Sequence, residues 1–331
     1  MPFKPFAALS VLLLSLSACQ SAPVWTPPPA ARAPLQAFQA PMAQSAPLLR
    51  ISPALRAELM QPDTEPEPRN DSFDEELARR IFDTQYVKSH SYYYQTLDNQ
   101  DTNIEAILRH DGHARAADLL RHWRDTLGQN AVWPDAQSTT YNGLWPALEH
   151  AELSGGKGWF GLRSAGTKAQ EYYQRALDSW NPALPPDHPQ QAESWAWFSR
   201  ASHFLQDISV PFHTMSLVRP AQLLYHKSYE RACDELFGRY LPSRNHNPDG
   251  VWLNGGPYPA SGQWGHYYPP GTNAAQMVSQ LANEVRPFYK LVNRRDGDNR
   301  WERTRAVMVP LGAKTTAGMV VSFLRDVGVQ P

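Results

Sequence analysis

The sequence predicts an all-α protein, a single multi-helix domain interrupted by two long irregular loops. Apolar residues recur at spacings of three and four along most of residues 71–331, and strand-like alternation is scarce. Two stretches, 131–164 and 241–273, are instead dense in Gly, Pro and aromatic residues. Loops of that length in a compact domain are usually functional or pinned by something.

In chain order, the first element is an export signal. Lys4 precedes an apolar run from Phe6 to Leu16 broken only by Ser10 and Ser15, and the run ends in Leu16-Ser17-Ala18-Cys19. It is too short to stay in a bilayer as an anchor, and small residues close it as at a secretory cleavage site. Leu-Ser-Ala-Cys resembles the bacterial lipobox, which implies that residues 1–18 are removed and Cys19 is lipidated. Gln20, rather than Asp, resembles lipoproteins sent on to the outer membrane of Gram-negative-type bacteria. The alternative is ordinary cleavage near Ala18 or Ala22 with a soluble product. Residues 19–70 are rich in Pro, Ala, Gln and Ser and cannot bury enough apolar surface to offset their ordering entropy, so they read as a tether.

The domain that follows, 71–331, is expected to hold helices over Phe73 to about Leu97, His113 to Leu127, Thr167 to Trp180, Gln191 to about Asp207, Ser228 to about Tyr240, Ala274 to Val292 and Thr315 to Val327. No segment after the signal reads as a membrane span. Lys plus Arg number 31 against 32 Asp plus Glu, with no basic run, which argues against a protein that grips nucleic acid by bulk charge. The two cysteines are Cys19 and Cys233. With Cys19 lipidated, Cys233 is a small buried residue, and an exported fold without disulfides needs another staple, which zinc could supply.

The chemistry concentrates in His203-Phe-Leu-Gln-Asp207-Ile-Ser-Val-Pro-Phe-His213 and His226-Lys-Ser-Tyr-Glu230. Residues four apart share a helix face, so His203 with Asp207, and His226 with Glu230, can each grip one ion. Imidazole nitrogen with carboxylate oxygen is zinc chemistry rather than calcium or iron-sulfur chemistry. The competing reading is ordinary ion pairs on helix surfaces. The clustering, the fifth donor His213 beyond Pro211, and the apolar setting of Trp195, Phe198, Phe204 and Phe212 favour metal. Upstream, His90, Asp135 and His150 are further candidates that local pattern alone ranks no higher than the chain's other histidines.

These motifs together resemble the zinc-dependent phospholipase C family of bacteria, which shares its helical fold with single-strand nucleases of the S1/P1 type. His-x3-Asp-x5-His at 203, 207 and 213 and His-x3-Glu at 226 and 230 stand as in the phospholipases. Ser89-His90, Leu120-Arg-His-Trp-Arg124, the spacing of Asp135 and His150, and Thr315-Thr-Ala-Gly318 extend the resemblance over residues 75 to 327. It implies a monomer with two to three zinc ions: Asp135, His150, His203 and Asp207 around one, and His213, His226 and Glu230, with Asp207 reaching toward it, around a second. His90 and Asp207 would help hold a third. There the sequence departs from the family, whose N-terminal Trp completes that site. The position falls near Leu77, so the third zinc is either lost or held by a substitute such as Asp83 or Asp74.

The activity implied is phosphodiester hydrolysis of glycerophospholipids to diacylglycerol and a phosphorylated head group, with Asp135 orienting or deprotonating the attacking water. The alternatives are a nuclease or 3′-nucleotidase of the sister family, which Glu230 disfavours because such nucleases commonly carry Asp there, and a non-catalytic lipoprotein stapled by zinc. Nucleic acid is not a partner in the leading reading; a phospholipid is, and a membrane through the lipid anchor. Ala136 replaces the aromatic residue of choline-preferring relatives unless Tyr141 or Trp145 substitutes. The second loop carries Trp252, Tyr258, Trp264, Tyr267 and Tyr268, rings suited either to a lipid-water boundary or to packing the loop onto the helices.

Overall fold

Short helices open the described chain. They are α1 (Ser89–Tyr92), α2 (Asn103–His110), α3 (Ala114–His122) and α4 (Arg124–Ala131). The computed structural model describes residues 89–94, 101–135, 148–158, 163–215, 225–226, 228–230, 232–233, 263–293 and 300–331, all in the unit that runs Ser45–Pro331. The unit Met1–Gln44, with the signal and Cys19, lies outside the described residues, as do the rest of the tether and Asp74, Leu77 and Asp83. So do Ala136, Tyr141, Trp145, Trp252 and Tyr258.

Helix α2 was not expected, although its start is written in the sequence. Thr102 Oγ1 accepts from Glu105 N at 3.3 Å and the Glu105 side chain reaches back to Thr102 N at 3.4 Å, a capping box. Ile104, Ile107 and Leu108 then form its buried face. The single helix expected from His113 to Leu127 is two, parted at Trp123, whose buried indole donates to Pro186 O at 3.1 Å.

Helix α5 (Ala165–Asp178) starts at the cap Ser164, which accepts from Thr167 N. Helix α6 (Ala192–Ile208) follows and packs against α4 and α5. The expected helix from Ala274 to Val292 is interrupted. Helix α7 (Ala274–Val285) gives way to a 3-10 turn at Arg286–Phe288 before α8 (Tyr289–Val292), because Pro287 has no N–H to continue the α ladder.

Helix α9 (Arg300–Asp326) begins well before the expected Thr315 and runs through Pro310 and Gly312. Both residues oppose a helix by propensity, and burial of almost every side chain from Val307 to Leu324 overrides it. Gly312 is required by its neighbour, since a Cβ there would collide with the Tyr93 hydroxyl, which donates to Val309 O at 3.1 Å. At Gly318 a Cβ would overlap His266 O, so glycine lets the 263–268 segment lie against the helix, where His266 N donates to Lys314 O at 3.1 Å. By length and hydropathy Val307–Asp326 could cross a membrane, contrary to the sequence reading, but every residue from Val307 to Leu324 is buried inside the protein and it is a core helix.

The architecture is thus all-α, with no strand among the described residues beyond an isolated bridge between Leu153 and Lys157. Helices α6 and α9 form its centre, joined by Trp195, Phe198 and Phe323 with ring centroids 4.9–5.8 Å apart. The last turn of α6, from His203 to Ile208, is buried on every side. Its polar residues His203, Gln206 and Asp207 must therefore find partners inside the protein.

Candidate metal centre

The buried end of α6 gathers every ligand expected from the sequence. His203 and Asp207 lie one turn apart on it, and its C-terminal 3-10 turn at Pro211–Thr214 carries His213. His150 arrives on the 3-10 turn Leu148–His150, Asp135 at the end of a helical turn at 133–135, and His90 on α1. His226 and Glu230 come from helical backbone at 225–226 and 228–230.

These eight residues fall into three sets, two of which share His203: Asp135 with His150 and His203, His213 with His226 and Glu230, and His90 with His203 and Asp207. In the first, His203 Nε2 is 3.0 Å from His150 Nδ1, and each is 3.6 Å from Asp135 Oδ1. Asp207 Oδ2 adds a fourth donor, 2.7 Å from His150 Nδ1 and 3.2 Å from His203 Nε2. In the second set His213 Nε2, His226 Nε2 and Glu230 Oε1 lie 2.7–3.1 Å apart, with Asp207 Oδ1 3.9 Å from His213. Ligands at 2.0–2.2 Å from a tetrahedral zinc are about 3.3–3.6 Å from each other. Both donor sets thus fit such an ion after a slight expansion.

Local structure aims these atoms. His203 Nδ1 donates to Ala131 O at 2.6 Å, which leaves Nε2 as the lone-pair nitrogen, the orienting contact usual for a metal-binding histidine. The turn bearing Asp135 is braced by Arg200, whose guanidinium lies 4.1 Å from the Trp133 ring and bonds Asn130 Oδ1. Glu152, 2% exposed, ties His150 to His213: its N–H donates to His213 O at 2.8 Å. Its carboxylate accepts from Gly166 N at the start of α5 and from Ser279 Oγ on α7.

Electrostatics follow the same convergence. Burial opposes the Asp207 charge, but His203, His213 and His150 outweigh it and hold the carboxyl well below its usual range. Glu230 is likewise held far below that range, burial again losing to His226 and His213. His203 is pushed down by burial, against the pull of Asp207. For His90 burial is overcome by the hydrogen bond and charge of Asp207, and its pKa rises to about 9. Phe204 and Phe212 wall the two main sets, with ring centroids 4.9 Å from His150 and 5.3 Å from His226.

The described part of the second loop packs against the domain. Asp111 accepts from Trp264 N, Gly265 N and the Tyr267 hydroxyl, the Trp264 ring stacks on His110 at 3.7 Å, and Tyr268 is 2% exposed. Trp264, Tyr267 and Tyr268 therefore pack this part of the loop onto the helices, Trp264 and Tyr267 remaining partly exposed. Cys233 is buried and outside any disulfide, as expected. The sequence reading missed Glu152 and Gln206, whose only signal is a polar residue where the surroundings are apolar.

No protein-family model and no curated protein matches the sequence. Among solved structures, the alpha toxin from Clostridium absonum matches with a TM-score of 0.53 and 14% identity over 75% of this chain and 66% of the toxin. The alpha-toxin of Clostridium perfringens avian strain SWCP matches with a TM-score of 0.50 and 14% identity over 74% of this chain and 64% of the toxin. The chain thus spans slightly less than two thirds of either toxin. At this identity the likeness establishes the fold, which is the bacterial phospholipase C fold.

Proposed function

We propose that the chain is a zinc-dependent phosphodiester hydrolase that cleaves glycerophospholipids to diacylglycerol and a phosphorylated head group. One observation carries this: eight His, Asp and Glu side chains from separate parts of the chain converge at one buried helix end in donor sets that fit zinc. Zinc held there supplies Lewis acidity, polarising a phosphoryl group and making water nucleophilic at neutral pH. Asp135 is the ligand best placed to take the proton of the attacking water, because its side chain is 31% exposed while His203 and Asp207 are buried. Asp207 has one oxygen toward each side of the centre and fixes the spacing of the two main donor sets. The phenyl rings of Phe204 and Phe212 limit water around the ligands and strengthen every charge interaction there.

The fold shared with the two alpha toxins supports this reading over a purely structural zinc staple. The test is release of phosphorylated head group from choline, ethanolamine, glycerol and inositol phospholipids by the zinc-loaded chain, beside single-stranded DNA. Diacylglycerol formation from at least one lipid is the expected result. Cleavage of DNA with no lipid turnover would instead assign the centre to the nuclease chemistry of the sister family.

A further inference from the structure

Gln206 lies between Leu205 and Asp207 in the buried turn of α6, 1% exposed, and belongs to none of the donor sets. The hydrogens around it can be assigned in sequence. Ser202 Oγ donates to Ser199 O at 2.8 Å, so in its 2.6 Å contact with the Tyr94 hydroxyl it accepts, and Tyr94 is the donor. Thr316 Oγ1 likewise spends its hydrogen on Gly312 O at 2.7 Å. Toward Gln206 both hydroxyl oxygens are therefore acceptors, at 3.4 and 3.5 Å, and the amide must turn its NH2 to them. Its Oε1 then faces His90 Nδ1 at 3.1 Å, which requires the hydrogen on that nitrogen. In the neutral ring Nε2 consequently presents a lone pair to Asp207 Oδ1, 3.1 Å away. In the metal-free chain Asp207 holds a proton on that nitrogen, and a cation bound there takes the proton's place.

We propose that Gln206 is a positioning residue for metal binding at His90: oriented by Tyr94 and Thr316, it holds His90 as the Nδ1–H tautomer with Nε2 ready to bind a cation jointly with Asp207. This rests on the zinc reading of the centre. Without the Gln206 acceptor, His90 can move its hydrogen to Nε2 and donate to Asp207, which closes the gap the cation would occupy. Supporting contacts of this kind typically change metal affinity by about 10–100-fold.

The test uses the full chain with labelled histidine nitrogens, stripped of metal and titrated with zinc alone. In the wild type a His90 Nδ1–H signature and a third, weakest zinc equivalent are expected. Gln206→Leu should lose that signature and bind the third equivalent at least about tenfold more weakly, with the first two unchanged. Gln206→Glu, which keeps an acceptor toward His90 and, as the buried acid, turns its O–H to Tyr94 and Thr316, should restore both. A wild type that saturates at two zinc ions, or Gln206→Leu with unchanged ring signals or third-zinc affinity, overturns the proposal. If Gln206→Leu does not fold, third-zinc affinity about tenfold weaker in Gln206→Glu does the same. A wild type that binds no zinc contradicts the metal reading itself.

Discussion

Asp135 and His213 separate chemistry from metal retention at the level of single residues. Asp135→Asn keeps an oxygen donor but loses the proton acceptor, so turnover should fall by about a hundredfold or more with zinc still bound; near-normal turnover of a fully metallated mutant would remove Asp135 from that role. His213→Ala takes one of three donors from the second set and should lose one zinc together with activity, as metal analysis would show. A different residue governs acid stability. Burial, with the Lys314 amine nearby, lowers the His266 pKa to about 4. An unfolded histidine titrates near 6.5, so between those values the unfolded chain binds the extra proton. Stability from this group is full above about pH 6.5 and falls by up to about 3 kcal/mol as the pH drops through 4. Urea unfolding of chelated protein at pH 7 and pH 5 should show a smaller loss for His266→Gln than for wild type, and equal losses would contradict this.

Helices and turns decide whether those residues meet, and here Glu152 links the elements that carry His150 and His213. Glu152→Ala keeps the N–H bond to His213 O but leaves Gly166 N–H and Ser279 without their buried acceptor and loosens the segment between His150 and α5, so it should weaken zinc binding at the set that holds His150, while Glu152→Gln, which can still bond each partner, should weaken it less. Zinc affinities of the two variants in parallel titrations check this, and equal affinities would reduce Glu152 to general packing. Much of the site was legible because helix geometry alone pairs His203 with Asp207 and His226 with Glu230. His90, Asp135 and His150 were legible only through the family resemblance, since each sits alone on a short turn with no local period. Glu152 and Gln206 were invisible for a related reason: their partners, Gly166 and Ser279 for one and Tyr94 and Thr316 for the other, are distant in sequence. The helix ends that sequence misplaced, at Trp123, Pro287 and Pro310, are those where burial or a proline competes with propensity.

At the scale of the whole molecule, a domain without a disulfide brings many histidines and carboxylates to one interior point, where like partners crowd unless something neutralises them. Zinc binding would then be part of folding stability, and a chelator should lower the melting temperature as well as activity. Location is a separate matter, carried by the N-terminus: Cys19→Ser should abolish incorporation of labelled fatty acid, and equal labelling of the mutant would show that Cys19 is not the anchor. The central claim, that this interior point is a zinc-dependent phosphodiesterase centre, is tested most directly by measuring bound zinc and phospholipid hydrolysis in the same samples through stripping and reloading. At least two zinc ions per chain, with hydrolysis that disappears on stripping and returns with them, is the predicted result; a metal-free chain that remains fully active, or a fully loaded one that cleaves no phosphodiester, would contradict it.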